Sequence, residues 1–306
     1  MRTSRRLALG AMMLALLVGA CSSGGGSKPA IKIGSVGFDE ARVMAEIYAQ
    51  ALEAKGYTVD RAGIGLGARP VVAPAIESGQ IDLQPEYIGS RLAYEGGAPG
   101  PDAAANLTAL QEKLNAKNLT ALNYTPAVDT NAFVVRAETA TEFDLTTVGD
   151  LAAVQDQLNW GLPTDCPTNA LCGAPGGALA QYGITADTIA AAQLLSACDT
   201  PMADALKNGT IDVAELCSTQ PDIIVNGWVV LEDDLHTQPA DNVAPIVRND
   251  YLAKLSDQAA FKKILDDVSA QIDTATLADL YKQVAVDHKD LADVARVWLQ
   301  SKGFVQ

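Results

Sequence analysis

The sequence predicts an α/β protein of two lobes, each a mainly parallel sheet flanked by helices, and three observations carry the prediction. Strand and helix patterns alternate from residue 31 onward, the grammar of a parallel sheet covered by helices. One phrase is written twice: residues 75–83 read AIESGQIDL and residues 205–213 read ALKNGTIDV. Each copy joins a helix to a strand through a glycine, the residue that most readily takes the left-handed conformation ending a helix. Finally, 306 residues with 48% apolar and 19% charged side chains can bury two cores, which excludes a disordered chain.

The elements follow in chain order. Residues 1–20, MRTSRRLALGAMMLALLVGA, place Arg2, Arg5 and Arg6 before an apolar run without an acid, the layout of a secretory signal. The run is shorter than the roughly twenty residues a membrane-spanning helix needs. It leads through Gly19 and Ala20 directly into Cys21 and a flexible polar tether over residues 21–30, which resembles a bacterial lipobox with Cys21 acylated.

IKIGSVGF (31–38) has strand spacing, and Asp39 is placed to cap the helix that follows. In that helix Val43, Met44, Ile47, Tyr48, Ala51 and Leu52 share one stripe, and Gly56 stops it. YTVDRAGIG is a second strand, VVAPAIESG a short helix after a turn at Gly67-Ala68-Arg69-Pro70, and QIDLQPEY a third strand. In the second half TNAFVVRAE (130–138), LNWGLP (158–163) and TIDVAELC (210–217) read as strands, and TEFDLTTVGDLAAV as a loop into a helix. GALAQYGI and PMADALKNG read as helices, and PDIIVNGWVVLEDD as a returning helix or strand. The last third is helical, and Thr276 with Asp279 offers a capping box. These assignments divide the chain into lobe I (31–130), lobe II (131–238) and a return to lobe I with C-terminal helices (239–306).

Function is narrowed by exclusion. Loss of Arg2, Arg5 and Arg6 with the signal takes the formal charge from −15 to −18, a surface that does not seek nucleic acid or anionic lipid. Only His236 and His288 are present, and no G-x-S-x-G elbow, H-E-x-x-H helix or P-loop occurs. Gly63-Ile64-Gly65-Leu66-Gly67 lacks the third-glycine position of a dinucleotide fingerprint. The chain therefore reads as a binder and not an enzyme, with no cofactor or metal required. Its cleft is expected between the lobes, beyond the carboxyl ends of the strands. With Cys21 set aside for lipid, four cysteines remain in an exported chain and argue for disulfides. Pairing of Cys166 with Cys172 and of Cys198 with Cys217 is the preferred one of three connectivities. Trp160 and Trp228 are read as core of lobe II.

The stretches IKIGSVGFDEARVMAEIYAQALEAKGY, ESGQIDLQPEYIGS, VDTNAFVV and LEDDLHTQPADNVAPIVR resemble the substrate-binding proteins of osmoprotectant (glycine betaine/choline) ABC importers. The likeness runs from Ile31 to the C-terminus. It implies a type II periplasmic-binding fold that closes on a small solute and docks to an ABC permease and its ATPase. It also implies an extracytoplasmic, lipid-anchored monomer that does not bind nucleic acid. A trimethylammonium group cannot donate a hydrogen bond and is held by aromatic faces, so the family uses a tyrosine cage. Tyr87 matches one cage position, Ser90 a nearby hydroxyl and Asp129 an acidic position that faces the cation. Phe38, Arg69 and Thr219 complete the expected contacts, with Asn131 where a tyrosine is common and Asn169 where an arginine is common. Two assignments stay open: Arg69 contacts ligand or forms a salt bridge, and Asp129 faces the cation or organises the hinge. The missing cage residues admit another polar or zwitterionic solute, of amino-acid or thione-betaine type. A solute sensor that feeds no permease would carry the same features.

Overall fold

The two copies of the repeated phrase open equivalent strands in two separate five-stranded sheets. The computed structural model describes residues 28–196 and 200–306. The export segment, Cys21 and Cys198 lie outside these residues.

Lobe I begins with β1 (Ile31–Val36), α1 (Asp39–Glu53), β2 (Val59–Gly67), α2 (Arg69–Ser78), β3 (Leu83–Tyr87), α3 (Ile88–Tyr94), α4 (Ala103–Asn115) and β4 (Leu119–Ala121). Across Val128, Asp129 and Thr130 the chain enters the second lobe. There it forms β5 (Asn131–Val135), α5 (Ala137–Phe143), β6 (Trp160–Pro163), α6 (Ala178–Gln181), α7 (Ala186–Ala191) and β7 (Gln193–Leu195). The lobe is completed by α8 (Thr200–Lys207), β8 (Val213–Cys217), α9 (Pro221–Asn226) and β9 (Val229–Val230). The chain then recrosses into β10 (Val243–Arg248), α10 (Asn249–Leu252), α11 (Gln258–Ser269), α12 (Thr274–Ala285) and α13 (Leu291–Ser301). The strand orders are β2-β1-β3-β10-β4 and β7-β6-β8-β5-β9.

Each sheet is parallel on one side only. β1 runs parallel to β2 and β3, and β6 to β7 and β8, whereas β10 and β5 run antiparallel to both of their neighbours. These two exceptions are the first strands after each crossing. They enter from the other lobe and so oppose the strands beside them.

The repeated phrase has a stereochemical content beyond its helix stop. Gly79 and Gly209 adopt φ of +81° and +72° and end α2 and α8. The isoleucine that follows packs on a glycine of the adjacent strand: a Cβ on Gly34 would meet Ile81 Cδ1 at 2.5 Å, and one on Gly161 would meet Ile211 Cδ1 at 2.3 Å. The aspartate after it joins three segments. Asp82 accepts from the Lys32 N–H at 3.1 Å and pairs with Arg248 at the end of β10 at 3.3 Å. Asp212 accepts from the Asn159 N–H at 2.9 Å and pairs with Arg136 just beyond β5 at 2.7 Å. In both lobes, then, Gly-x-Ile-Asp clamps the crossing strand to the parallel half of its sheet.

α1 is the hub of lobe I, packed between α11, α12 and α13. Its apolar stripe is buried as expected, and the Tyr48 hydroxyl meets Ser269 Oγ at 2.8 Å in the core. Trp160 and Trp228 lie in the cores of lobe II. Among the described residues no helix is long and apolar enough to cross a membrane.

Three local expectations are corrected. Asp39 is the first residue of α1 and not its cap, because its carboxylate pairs with Arg42 at 2.6 Å. The cap of α12 is Asp273, which accepts from the Thr276 N–H at 2.8 Å, while Asp279 accepts from Gln283. The strand expected over 130–138 ends at Val135, where Arg136 turns the chain into α5.

The clamp yields a stability prediction. Arg136 has two carboxylate partners, Asp212 in the clamp and Glu138, which is 73% exposed. Asp212→Ala leaves the Asn159 N–H without its acceptor and Arg136 with only Glu138 and the Leu206 and Ile211 carbonyls, and should cost about 1–3 kcal/mol in urea unfolding. Glu138→Ala should stay within about 0.5 kcal/mol. Equal losses would mean that the clamp contributes nothing special.

Candidate functional site

The site is built where the two strands cross between lobes. Val128 pairs with Asn242 in an antiparallel bridge, and the Asp129 N–H donates to the Asp241 carbonyl at 3.3 Å. The Thr130 and Ser218 backbones and the Ser218 hydroxyl tie this crossing to the end of β8, at 2.8 to 3.1 Å. The bridge sets the carboxylates of Asp129 and Asp241 on neighbouring segments. Glu40, in the first turn of α1, adds a third carboxylate from lobe I.

A cavity of about 240 Å³ opens there, lined by Phe38, Glu40 and Tyr281 from lobe I, by Cys217, Thr219 and Gln220 from lobe II, and by Asp129 at the crossing. A larger depression of about 480 Å³, along Gln155, Trp160 and Thr188, lies on the flank of lobe II away from these charges.

The electrostatics are one-sided. Among the described residues none of Glu40, Asp129 and Asp241 forms an ion pair. Burial, then the nearby Asp129 charge, pushes the Glu40 carboxyl up to about 8, a rise moderated by the Thr219 and Tyr87 hydroxyls. Burial and the charge of Asp241 raise Asp129 to about 6, against the hydrogen bond from Thr219 at 2.8 Å. Asp241 is also raised by burial, and accepts from the Ser90 N–H at 2.9 Å and from its hydroxyl.

Of the residues selected from the sequence, Phe38, Asp129 and Thr219 line the cavity. Tyr87 stands behind Phe38, ring centroids 5.7 Å apart, and donates its hydroxyl proton to Glu40. Ser90 is bound to Asp241. Arg69 proves to be a salt bridge within lobe I, its guanidinium 3.0 Å from Glu86, which also faces the buried Arg91. Asn131 opens β5 opposite Cys217. Asn169 is not in the lining: its amide donates to Asp165 at 3.1 Å and its oxygen accepts from the Leu171 N–H at 2.9 Å, holding its own loop.

Three lining residues escaped the sequence reading. Glu40 is an acid at a buried helix start, and its signal is an ionisable residue next to an apolar stripe. Tyr281 supplies an aromatic from α12. Gln220 precedes Pro221 at the start of α9.

The cysteines serve structure. Cys166 and Cys172 are joined, with Cα atoms 5.1 Å apart, and Cys217 is also disulfide-bonded, while its expected partner Cys198 lies outside the described residues. Among the described residues one group could offer three metal ligands, namely Cys166, Cys172 and Glu215. Its sulfurs are bonded to each other and are not available as thiolates. Glu215 Oε2 lies 2.9 Å from Cys172 Sγ. A disulfide sulfur has no proton to give, so the carboxyl is the donor, in keeping with burial raising Glu215 to about 8.

Comparison with known proteins spans both sheets and the C-terminal helices. A model of the family described as the substrate-binding domain of ABC-type glycine betaine transport systems matches residues 29–301. The glycine betaine-binding protein YehZ of Escherichia coli K12 is 28% identical over 288 residues, 90% of this chain and 92% of that one. A carnitine transport binding protein, OpuCC, of Listeria monocytogenes is 24% identical over 95% of this chain and 94% of its own. Apo YehZ superposes with a TM-score of 0.74 at 26% identity, covering 90% of this chain and 99% of that one. A crystal structure of a glycine betaine/carnitine/choline ABC transporter gives a TM-score of 0.79 at 22% identity, with the same coverage. The two-lobed architecture is thus shared.

The raised carboxyls predict a pH dependence. Glu40 keeps its proton in the folded chain up to about 8, whereas the unfolded chain releases it near its ordinary 4.5. The folded state binds more protons across that interval, so stability falls as pH rises from about 4.5 to about 8. Asp129 and Glu215 add the same sign. Without solute the melting midpoint should decline over this range, and Glu40→Gln should make the decline shallower. A midpoint that rises, or a slope indifferent to the substitution, contradicts the assignment.

Proposed function

This chain belongs to the family of substrate-binding domains of ABC-type glycine betaine transport systems, and from that membership we propose that the cavity at the lobe crossing captures a small solute carrying a positively charged nitrogen. Its role is that of a solute-binding receptor for an ABC importer. Delivery is to the permease and its ATPase, from the outer side of the membrane. The Cys166–Cys172 disulfide supports an oxidising, extracytoplasmic setting. The sequence Gly19-Ala20-Cys21 supports attachment by lipid at Cys21.

The observation that carries the charge assignment is the pair Glu40 and Asp129, two carboxylates facing one cavity without a cation of the chain beside them. Charge buried without a partner is costly, and a cationic solute supplies the missing partner. Phe38 and Tyr281 add aromatic faces, each worth about 0.5–2 kcal/mol to a cation lying over it. A zwitterion's carboxylate finds less support, because Arg69 is engaged by Glu86 and Asn169 by its own loop. The relatives' glycine betaine and carnitine, and amino acids or thione-betaines, therefore rank behind solutes of net positive charge.

Thermal unfolding of the purified protein against choline, glycine betaine, carnitine, proline, ergothioneine and common amino acids tests this reading. A true solute at about 100 times its dissociation constant adds about 2.7 kcal/mol and raises the midpoint. Solutes with net positive charge should shift the curve most, and Asp129→Asn should weaken their binding about tenfold or more, about 1.4 kcal/mol. A shift produced by uncharged solutes alone would contradict the cation assignment.

A further inference from the structure

Resting on the cation reading above, we infer that the nitrogen bound at this site carries hydrogens, so that the solute is a primary, secondary or tertiary ammonium and not a quaternary one. The inference comes from the hydrogen-bonding state of the cavity wall. Three of its donors are engaged, which leaves the Tyr281 hydroxyl: the Tyr87 hydroxyl donates to Glu40, the Thr219 hydroxyl to Asp129 at 2.8 Å, and the Gln220 amide to Asp222 at 3.0 Å. Two of its oxygens are not: Gln220 Oε1 has no donor and Glu40 Oε2 no partner, although their residues are only 5% and 1% exposed, and Oε2, which carries the Glu40 proton in the empty site, becomes an acceptor once a cation ionises the carboxyl.

A quaternary ammonium offers only C–H groups and leaves both oxygens unmet. A primary or secondary ammonium can satisfy both with short, charge-assisted bonds and a tertiary one can satisfy one of them, and each brings its charge nearer the carboxylate. The two acceptors also belong to different lobes, Glu40 to α1 and Gln220 to the residue before α9. One ammonium donating to both would bridge the lobes, so the hydrogens that select the solute also fasten the closed state. The Asp222 bond fixes the Gln220 amide with its oxygen free, which makes it a specificity-determining acceptor.

The test is calorimetric titration with ethanolamine, N-methylethanolamine, N,N-dimethylethanolamine and choline, cations of one charge on one skeleton at pH 7. Affinity should fall about tenfold or more at the step from the dimethyl compound to choline, where the last N–H is lost, as sites built to hydrogen-bond a group reject analogues lacking it. Gln220→Met should narrow that step, and Asp129→Asn should weaken every member of the series. Choline binding as tightly as its dimethyl analogue, or tighter, overturns the inference and leaves the cation reading in place. If no member binds while an uncharged solute does, the cation reading falls and this inference with it.

Discussion

Uncompensated negative charge buried at the lobe crossing is the constraint around which the rest of this molecule is arranged. Glu40, Asp129 and Asp241 meet where the backbone passes between lobes, and no lysine or arginine pairs with them among the described residues. Arg69, whose charge acts on Asp241, is held by Glu86, and Glu86 in turn faces Arg91, which is fully buried. Lobe I thus retains its own cations in an internal network and leaves the crossing electron-rich. Without solute, burial keeps Glu40 protonated up to about 8, which removes part of that charge. On the proposed function a bound cation lets this carboxyl ionise and gives the lobes a common partner.

Positioning of those groups depends on the scaffold beneath them. In both lobes a Gly-x-Ile-Asp unit clamps the crossing strand, through Asp82 and Arg248 in one and through Asp212 and Arg136 in the other. Val128 and Asn242 then run side by side, so the crossing is a two-stranded antiparallel link rather than a pair of loose tethers. α1 is gripped by α11, α12 and α13, which fixes Glu40 at its first turn and brings Tyr281 of α12 to the same cavity. Phe38 remains 45% exposed at the mouth, where an aromatic face can meet an entering solute.

Much of this was legible from residues alone, and the failures have physical causes. Helix-period stripes and helix-ending glycines gave α1, α2 and the C-terminal helices because those patterns are local. The doubled phrase announced two lobes, yet its aspartate read as an ordinary strand residue, since its arginine partner lies 166 positions away in one lobe and 76 in the other. Asp129, Phe38 and Thr219 could be selected because they sit in stretches resembling a family. Glu40, Gln220 and Tyr281 could not, because each sits in a helix or at its start, and only the folding of three distant segments makes them neighbours. Asn169 failed for the converse reason: its side chain satisfies its own disulfide loop and so turns away from the cleft.

The most direct measurement of the central claim is a count of protons exchanged on binding, from titration calorimetry at pH 7 in buffers of different ionisation enthalpy. A cation that forces Glu40 to ionise must expel the proton it holds at pH 7 in the empty site, whereas Asp129, raised only to about 6, is already largely ionised there, so binding should release the Glu40 proton to the buffer. Tight binding with no proton release, or with uptake, would show that the solute does not ionise Glu40 and would contradict the account.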